Sequence, residues 1–349
     1  MEPYRDLNSF KMNQKEMYDK LIFWLSESEI RTEDGAVYSW LNPKRKGYIY
    51  PEIIGYYTKF FSYLYFNEKN DKFKQLAISS ADYISSILSK NGSVSRDNIE
   101  YVFDTGICLS GMLSLEKIHS LKESHRKSIN EMAHFIKESL SRKVPSFKEG
   151  KPFIDNSRWS LSYGALLIKT AISLVEYGKY SNNKEYLDFA EQLVDDIISR
   201  TFKGNHFSIN EFQAWVYTHP HCYATEGLCF LSLNGYPKYS NIIKKSAQWL
   251  SETQNDDGSV YNWHYRDEIT KEKQGDATSQ AIRIWLFVDK NRYKDSIEKS
   301  ILFLKTLQSP KGGLYYNSNS GDVNSWVSMF ASQALYWDIN GMADFNWIV

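Results

Sequence analysis

The chain has 349 residues, and its 42 Lys and Arg balance 42 Asp and Glu, so it carries no formal net charge. That balance excludes a protein that holds nucleic acid by bulk charge, and it excludes a polybasic membrane-surface protein. A composition of 42% hydrophobic and 24% charged residues excludes a mainly disordered chain.

The unusual figure is aromatic, with 10 Trp, 25 Tyr and 19 Phe. Tyr and Trp join an apolar face to a polar tip, which suits a large core or a cleft that stacks on flat ligand faces. Cys108, Cys222 and Cys229 are too few for a disulfide framework and fit a reducing compartment. The N-terminal MEPYRDLNSFKMNQKEMYDK lacks the apolar run of a signal peptide. The most apolar stretch, 165–175, is interrupted by Lys169 and falls short of the ~18 residues of a membrane span. The expectation is a cytoplasmic protein without membrane insertion.

Along the chain a glycine turn recurs at Gly35, Gly92, Gly150, Gly204, Gly258 and Gly313, at intervals of 57, 58, 54, 54 and 55 residues. Before each turn lies a Lys/Glu-rich segment with helical spacing: 14–31, 71–90, 125–143, 184–200, 239–254 and 294–308. In the fourth, Leu187, Ala190, Leu193, Ile197 and Ile198 form one stripe and the charges fill the other face.

After each turn and a loop comes a segment with few charges: PEIIGYYTKFFSYLY, FDTGICLSGMLSL, RWSLSYGALLIKTAISLV, HCYATEGLCFLSL, DATSQAIRIWLFV and NSWVSMFASQALYW. As helices these are apolar nearly all round, the mark of burial on every side. Four carry a mid-segment glycine, Gly55, Gly106, Gly164 and Gly227. A helical glycine costs roughly 1 kcal/mol relative to alanine, so its recurrence predicts crowded backbones.

Six pairs of one amphipathic and one buried helix, each about 55 residues, predict an all-α closed ring in one domain over 1–349. An open solenoid needs polar capping repeats, whereas the last buried segment, 325–337, is as apolar as the middle ones.

The long connectors run from outer to inner helix, so all six gather at one end of the ring, above the inner-helix N-termini. Those N-termini make that end electropositive. The first loop brings Tyr48, Tyr50 and Glu52; the second, Arg96, Tyr101 and Asp104; the third, Asp155, Asn156, Arg158 and Trp159. The fourth brings Trp215, Tyr217, His219, His221, Tyr223 and Glu226. The fifth brings Trp263, His264, Tyr265, Arg266 and Asp276, with Gln280 and Arg283 further down its helix. The sixth brings Tyr315, Tyr316, Asp322, Asn324 and Trp326. Aromatic planes, carboxylates and arginines on one rim predict a sugar-binding cleft.

Each residue also has a structural role open to it. Asp104 and Asp276 stand where a helix N-cap is expected. Glu226 lies one turn inside a buried segment and requires a partner. Arg158 and Arg283, in otherwise apolar segments, fit an ion pair with a neighbouring repeat as well as a ligand contact. His219, His221 and Cys222 lack a recurrent fourth ligand, and no CxxC or HExxH occurs, so no metal is expected. The chain has neither GxxxxGK[ST] nor GxGxxG, so no nucleotide cofactor is expected, and no nucleic-acid partner.

The twelve-helix plan resembles the (α/α)6 toroids of carbohydrate-active enzymes, among them unsaturated glucuronyl hydrolases and N-acylglucosamine 2-epimerases. Phe103-Asp104-Thr105-Gly106 is similar to the first Asp-bearing helix start of unsaturated glucuronyl and rhamnogalacturonyl hydrolases. Phe153-Ile154-Asp155-Asn156 is similar to their second. The resemblance implies that Asp104 and Asp155 flank an unsaturated uronate and that one donates a proton to its double bond. No His precedes Asp104, and Ser157-Arg158-Trp159 stands near Asp155 in place of Met-Met-Asn. The overall layout also resembles toroid proteins found with polysaccharide biosynthesis genes, and Gln254-x-x-x-Gly258 resembles part of a cyclase repeat.

Three readings follow. The first is an enzyme on a uronic-acid or amino-sugar glycan, working by hydrolysis, epimerisation or elimination, with an oligosaccharide or polysaccharide as substrate. Its catalytic candidates are Asp104, Asp155, His221, Glu226 and Asp276. Its substrate-binding candidates are Tyr50, Glu52, Arg158, Trp159, Trp215, His219, Tyr223, His264, Gln280, Arg283, Asn324 and Trp326. The second is a prenyltransferase- or cyclase-like toroid; the third is a glycan-binding protein without turnover.

Overall fold

A computed structural model describes residues 7–27, 29–265, 268–270, 272–341 and 343–349. Among these, twelve α-helices alternate in two layers. The outer layer holds α1 (Leu7–Glu27), α3 (Asp71–Ile87), α5 (Glu123–Ser141), α7 (Lys184–Thr201), α9 (Ser240–Glu252) and α11 (Lys294–Thr306). The inner layer holds α2 (Pro51–Glu68), α4 (Val102–Glu116), α6 (Leu167–Tyr180), α8 (Thr218–Leu233), α10 (Gly275–Asp289) and α12 (Ser325–Asn340). Each inner helix packs on the next, and α12 returns to pack on α2, which closes the ring. Among the described residues no helix is long and apolar enough to cross a membrane.

The outer helices bury one stripe each. In α7 that stripe runs through Tyr186, Ala190, Leu193, Val194 and Ile197; Leu187 and Ile198, expected in it, are half-buried at its edges. Inner helices α2, α4 and α8 are buried from their first residue through most of their length. Their glycines serve close approach. A Cβ on Gly55 would stand 2.7 Å from the Cys108 backbone nitrogen, and one on Gly111 would stand 2.5 Å from the Gly55 carbonyl oxygen. Helices α2 and α4 therefore touch backbone to backbone. Gly227 likewise faces the Ile168 carbonyl.

Two expectations need correction. Gly164 lies ahead of α6 rather than within it: the 158–166 segment forms a short 3-10 turn at Trp159–Leu161, and α6 starts only at Leu167. The cause is a tie to the fourth loop, where the Ala165 N–H donates to Ile209 O at 3.0 Å and a Cβ on Gly164 would overlap that same oxygen. In the sixth turn the left-handed residue is Gly312 (φ +107°), not Gly313, whose missing Cβ instead makes room for the Trp24 ring.

Short strands lace the loops together in pairs. β1 (Trp40–Leu41) joins β10 (Val323–Asn324) and β9 (Leu314–Tyr315), tying the first loop to the sixth. β2 (Ser95–Arg96), β3 (Ile99–Tyr101), β4 (Ser146–Lys148) and β5 (Lys151–Pro152) tie the second to the third. β6 (Val216–Tyr217), β7 (Trp263–Tyr265) and β8 (Glu268–Ile269) tie the fourth to the fifth. Since β3, β6 and β10 run straight into α4, α8 and α12, the three sheets stand at the N-terminal end of the inner ring. The opposite end is covered by the segment 343–349, whose Phe345, Trp347, Ile348 and Val349 are buried; its 3-10 turn packs on α2 and α8.

Candidate active site

The position of a residue in its inner helix decides where its side chain goes. The N-caps are Tyr50, Tyr101, Tyr217, Gln274 and Asn324 for α2, α4, α8, α10 and α12. Asp104 and Asp276 are therefore not caps, as their sequence context predicted, but lie three and two residues beyond one. The second residue after the cap is Glu52 in α2, His219 in α8, Asp276 in α10 and Trp326 in α12. These four, with Asp104, form a ring of polar groups around the mouth.

At the fourth residue after the cap stands a side chain that binds the preceding glycine turn. The Thr105, Thr278 and Ser328 hydroxyls accept from Val94, Val260 and Leu314 backbone N–H groups at 3.2, 3.2 and 2.9 Å. His221 occupies the same place in α8, and its Nδ1 accepts from the Phe207 N–H at 3.2 Å. His221 thus faces the outer layer, against the Trp249 ring at 4.7 Å, and His264 lies on that same indole at 5.0 Å. Burial, and then the nearby His206, push the His221 imidazole down to about 3. Burial does the same to His264, down to about 4. Both are neutral rings under the lip rather than part of the mouth.

Three other expected residues also stand apart. Asp155 lies on the third loop, ahead of the 3-10 turn, where its Oδ1 accepts from the Ser157 N–H and hydroxyl at 2.9 and 2.6 Å. Those bonds hold its carboxyl below the usual range. Arg158 is exposed and lies 3.7 Å from Asp155. Asn324 caps α12 by accepting from the Val327 N–H at 3.0 Å. Tyr265 and Arg266 fall on residues whose side chains lie outside the described set.

Deeper on the axis, Glu226 is fully buried. Its Oε2 accepts from Lys169 Nζ at 2.7 Å, and its Oε1 from Arg283. Both cations also donate to the Val349 carbonyl oxygen, at 2.8 and 2.9 Å. Burial lowers the Lys169 ammonium to about 7 against the pull of Glu226. Arg283 is therefore committed to an internal carboxylate and not free for a ligand, and Glu226 has its partner. Lys169, Glu226 and Arg283 are spaced 57 residues apart, one repeat each, so they meet at one level of the ring. That recurrence of charge at the repeat period is the sequence signal that finds Lys169, read from its apolar surroundings only as an interruption.

Around the mouth, Tyr223 links the two halves. Its hydroxyl donates to Glu52 Oε1 at 3.0 Å, while its ring lies 4.2 Å from His219 and 5.1 Å from Phe103. Asp104, 3% exposed, has an Oδ2 without a hydrogen-bond partner. Burial, and then the charge of Glu52, hold its carboxyl well above the ordinary value, with Arg96 pulling the other way. The Arg96 guanidinium sits over the Tyr50 ring at 4.3 Å and the Tyr101 ring at 4.9 Å. On the other side Tyr217 stacks on Trp263 at 4.3 Å, Trp215 meets Trp263 edge-on, and Trp159 stands edge-on to Tyr217 and His219. The Trp326 indole donates to Asp276 Oδ2 at 3.3 Å.

No protein-family model matches this sequence, and no curated protein does. Solved structures do. A sugar epimerase from a ruminal bacterium superposes with a TM-score of 0.75 at 13% identity, covering 93% of this chain and 98% of that one. The cellobiose 2-epimerase of Spirochaeta thermophila gives 0.72 at 11% identity, covering 97% and 99%. An unsaturated glucuronyl hydrolase specific for heparin gives 0.71 at 13% identity, covering 96% and 99%. The chain is an (α/α)6 toroid. The likeness extends over nearly the whole of both chains in each case, so the toroid has no large insertion or missing repeat relative to these proteins.

Proposed function

We propose that the chain is a carbohydrate-active enzyme that moves protons at a sugar bearing a carboxylate or an amino group, with Asp104 as proton donor. The observation that carries this reading is the unpartnered Oδ2 of buried Asp104 beside Glu52. A buried polar atom left without a partner costs about 1–3 kcal/mol, and Asp104 keeps one next to a second carboxyl at the mouth, which supports a ligand as its partner. Two carboxyls that share a site do not both ionise readily, and the one held neutral is the acid.

The rest of the mouth fits a sugar. The Tyr217–Trp263 stack and Trp159 offer flat faces for pyranose rings. Arg96 has no carboxylate ion pair among the described residues, and its Nε is unpartnered, which supports it as a cation for a uronate carboxylate. Sugar epimerases and a glucuronyl hydrolase among the solved proteins of this fold support the substrate class. In this reading the acid pair is Glu52 and Asp104, whereas the motif resemblance pairs Asp104 with Asp155.

In the reaction, Oδ2–H of Asp104 protonates a glycosidic oxygen, whose C–O bond then breaks, or an unsaturated carbon, whose double bond opens. Water adds its oxygen to the oxocarbenium carbon so formed, and the proton that this water loses returns to the Asp104 carboxylate. Mass spectrometry of uronate and amino-sugar oligosaccharides incubated in heavy water tests it. A changed mass or incorporated deuterium with the natural protein, lost in Asp104→Asn, is expected. No change across the panel, or equal change with Asp104→Asn, contradicts the reading.

A further inference from the structure

We infer that Glu226 and Gln280 act as positioning residues that fix His219 with its proton on Nδ1, so that Nε2 is the proton acceptor of the mouth. The inference rests on the reading above, for which it names the base. It follows from counting donors along one chain of bonds. Glu226 lies between Lys169 and Arg283, both cations, and so offers only lone pairs. The Gln280 group 3.2 Å from Glu226 Oε2 must then be the amide NH2. An amide orientation is usually ambiguous, since its O and N look alike, but a carboxylate held by two cations removes the ambiguity.

With Nε2 of Gln280 turned to Glu226, its Oε1 faces His219 Nδ1 at 2.6 Å and can only accept. The proton of that bond belongs to the imidazole. Asp276 Oδ2, 3.6 Å from the same nitrogen, favours the same placement. The lone pair of the neutral ring is therefore on Nε2. When Nε2 takes a proton from the substrate, a new N–H bond forms, the donor atom keeps its electron pair, and Asp276 faces the imidazolium charge. His221, two residues on, is set the opposite way: its Nδ1 accepts from a backbone N–H, so its proton is on Nε2.

The test is a long-range 1H–15N correlation spectrum of the full chain with 15N-labelled histidine, at about pH 8, above the ordinary imidazole titration. Signals are assigned with His219→Gln and His221→Gln. The expected result is an unprotonated Nε2 for His219 and an unprotonated Nδ1 for His221. An unprotonated Nδ1 on His219 overturns the inference, whatever His221 shows.

Gln280→Leu leaves the ion cluster intact and removes the acceptor; the share of His219 with its proton on Nε2 should rise about tenfold, and kcat should fall with KM little changed. An unaltered His219 spectrum in Gln280→Leu overturns the part assigned to Gln280. Glu226→Gln, whose amide can present either atom to Gln280, should also mix the two tautomers; a pure Nδ1–H ring there overturns the part assigned to Glu226. If the tautomer is as stated and no sugar is altered, the proposed function and the role of Nε2 as its base fail, and only the proton placement set by Glu226 and Gln280 stands. If sugars are altered and His219 carries its proton on Nε2, only this inference fails.

Discussion

Two buried carboxyls in the same inner ring are treated in opposite ways. Glu226 has a cation on each oxygen and a further amide donor. Asp104 has an oxygen with no partner, and a second carboxyl nearby raises it further. Burial is nearly complete for both, so burial alone does not separate a structural acid from a reactive one. What separates them is whether the fold has already used the lone pairs. Glu226 helps hold the ring to its terminal segment through Lys169, Arg283 and the Val349 carbonyl, and Asp104 is left for something that enters from the mouth.

The contrast breaks most easily at Glu226. Glu226→Ala strands Lys169 and Arg283 without a counter-charge, and loss of one partner of a buried pair costs about 3–5 kcal/mol. Denaturant unfolding should show that loss; a change near zero would mean the cluster is not what holds the axis. Asp104→Asn should show the reverse pattern, with folding stability retained and turnover of a responsive sugar lowered roughly 10²–10⁴-fold, the range for loss of a proton donor. Equal turnover by both proteins would remove the distinction between the two acids.

A smaller effect separates the two α8 histidines. His221→Phe leaves the Phe207 N–H without an acceptor and should cost about 1–3 kcal/mol, with turnover unchanged. Lost turnover at full stability would place His221 in the mouth after all. The smallest effect is in the pH dependence of stability. Asp104 has a folded-state pKa raised above its unfolded value of ~3.9, so the folded state binds the extra proton. Its contribution is complete below that unfolded value and is lost as pH rises through the raised one. Stability of the natural protein should thus decline with rising pH across that window more than stability of Asp104→Asn. Parallel curves would contradict the raised value.

How much of this was legible in the sequence depends on which interactions are periodic. The glycine turns, one stripe on each outer helix and the near-absence of charge in the inner helices report six pairs directly, because each repeat solves the same packing problem. Charges spaced by one repeat were legible too, at Lys169, Glu226 and Arg283, but only when compared between repeats rather than within one. The late start of α6 was not, since it follows from the bond of Ala165 to Ile209 in another loop. Nor was the division between His219 and His221. Both sit in the same short motif, and only the shift from the second to the fourth residue after Tyr217 sends one to the axis and the other to Trp249.

Whether Asp104 is the acid of the mouth can be read from its own ionisation. With 13C-labelled aspartate, the carboxyl signal that disappears in Asp104→Asn can be followed through a pH titration of the folded protein. This carboxyl is expected to take up a proton well above the ~3.9 of an ordinary aspartate. A titration at or below that value would show Asp104 to be an ordinary paired carboxylate and would contradict its role as the acid of the mouth.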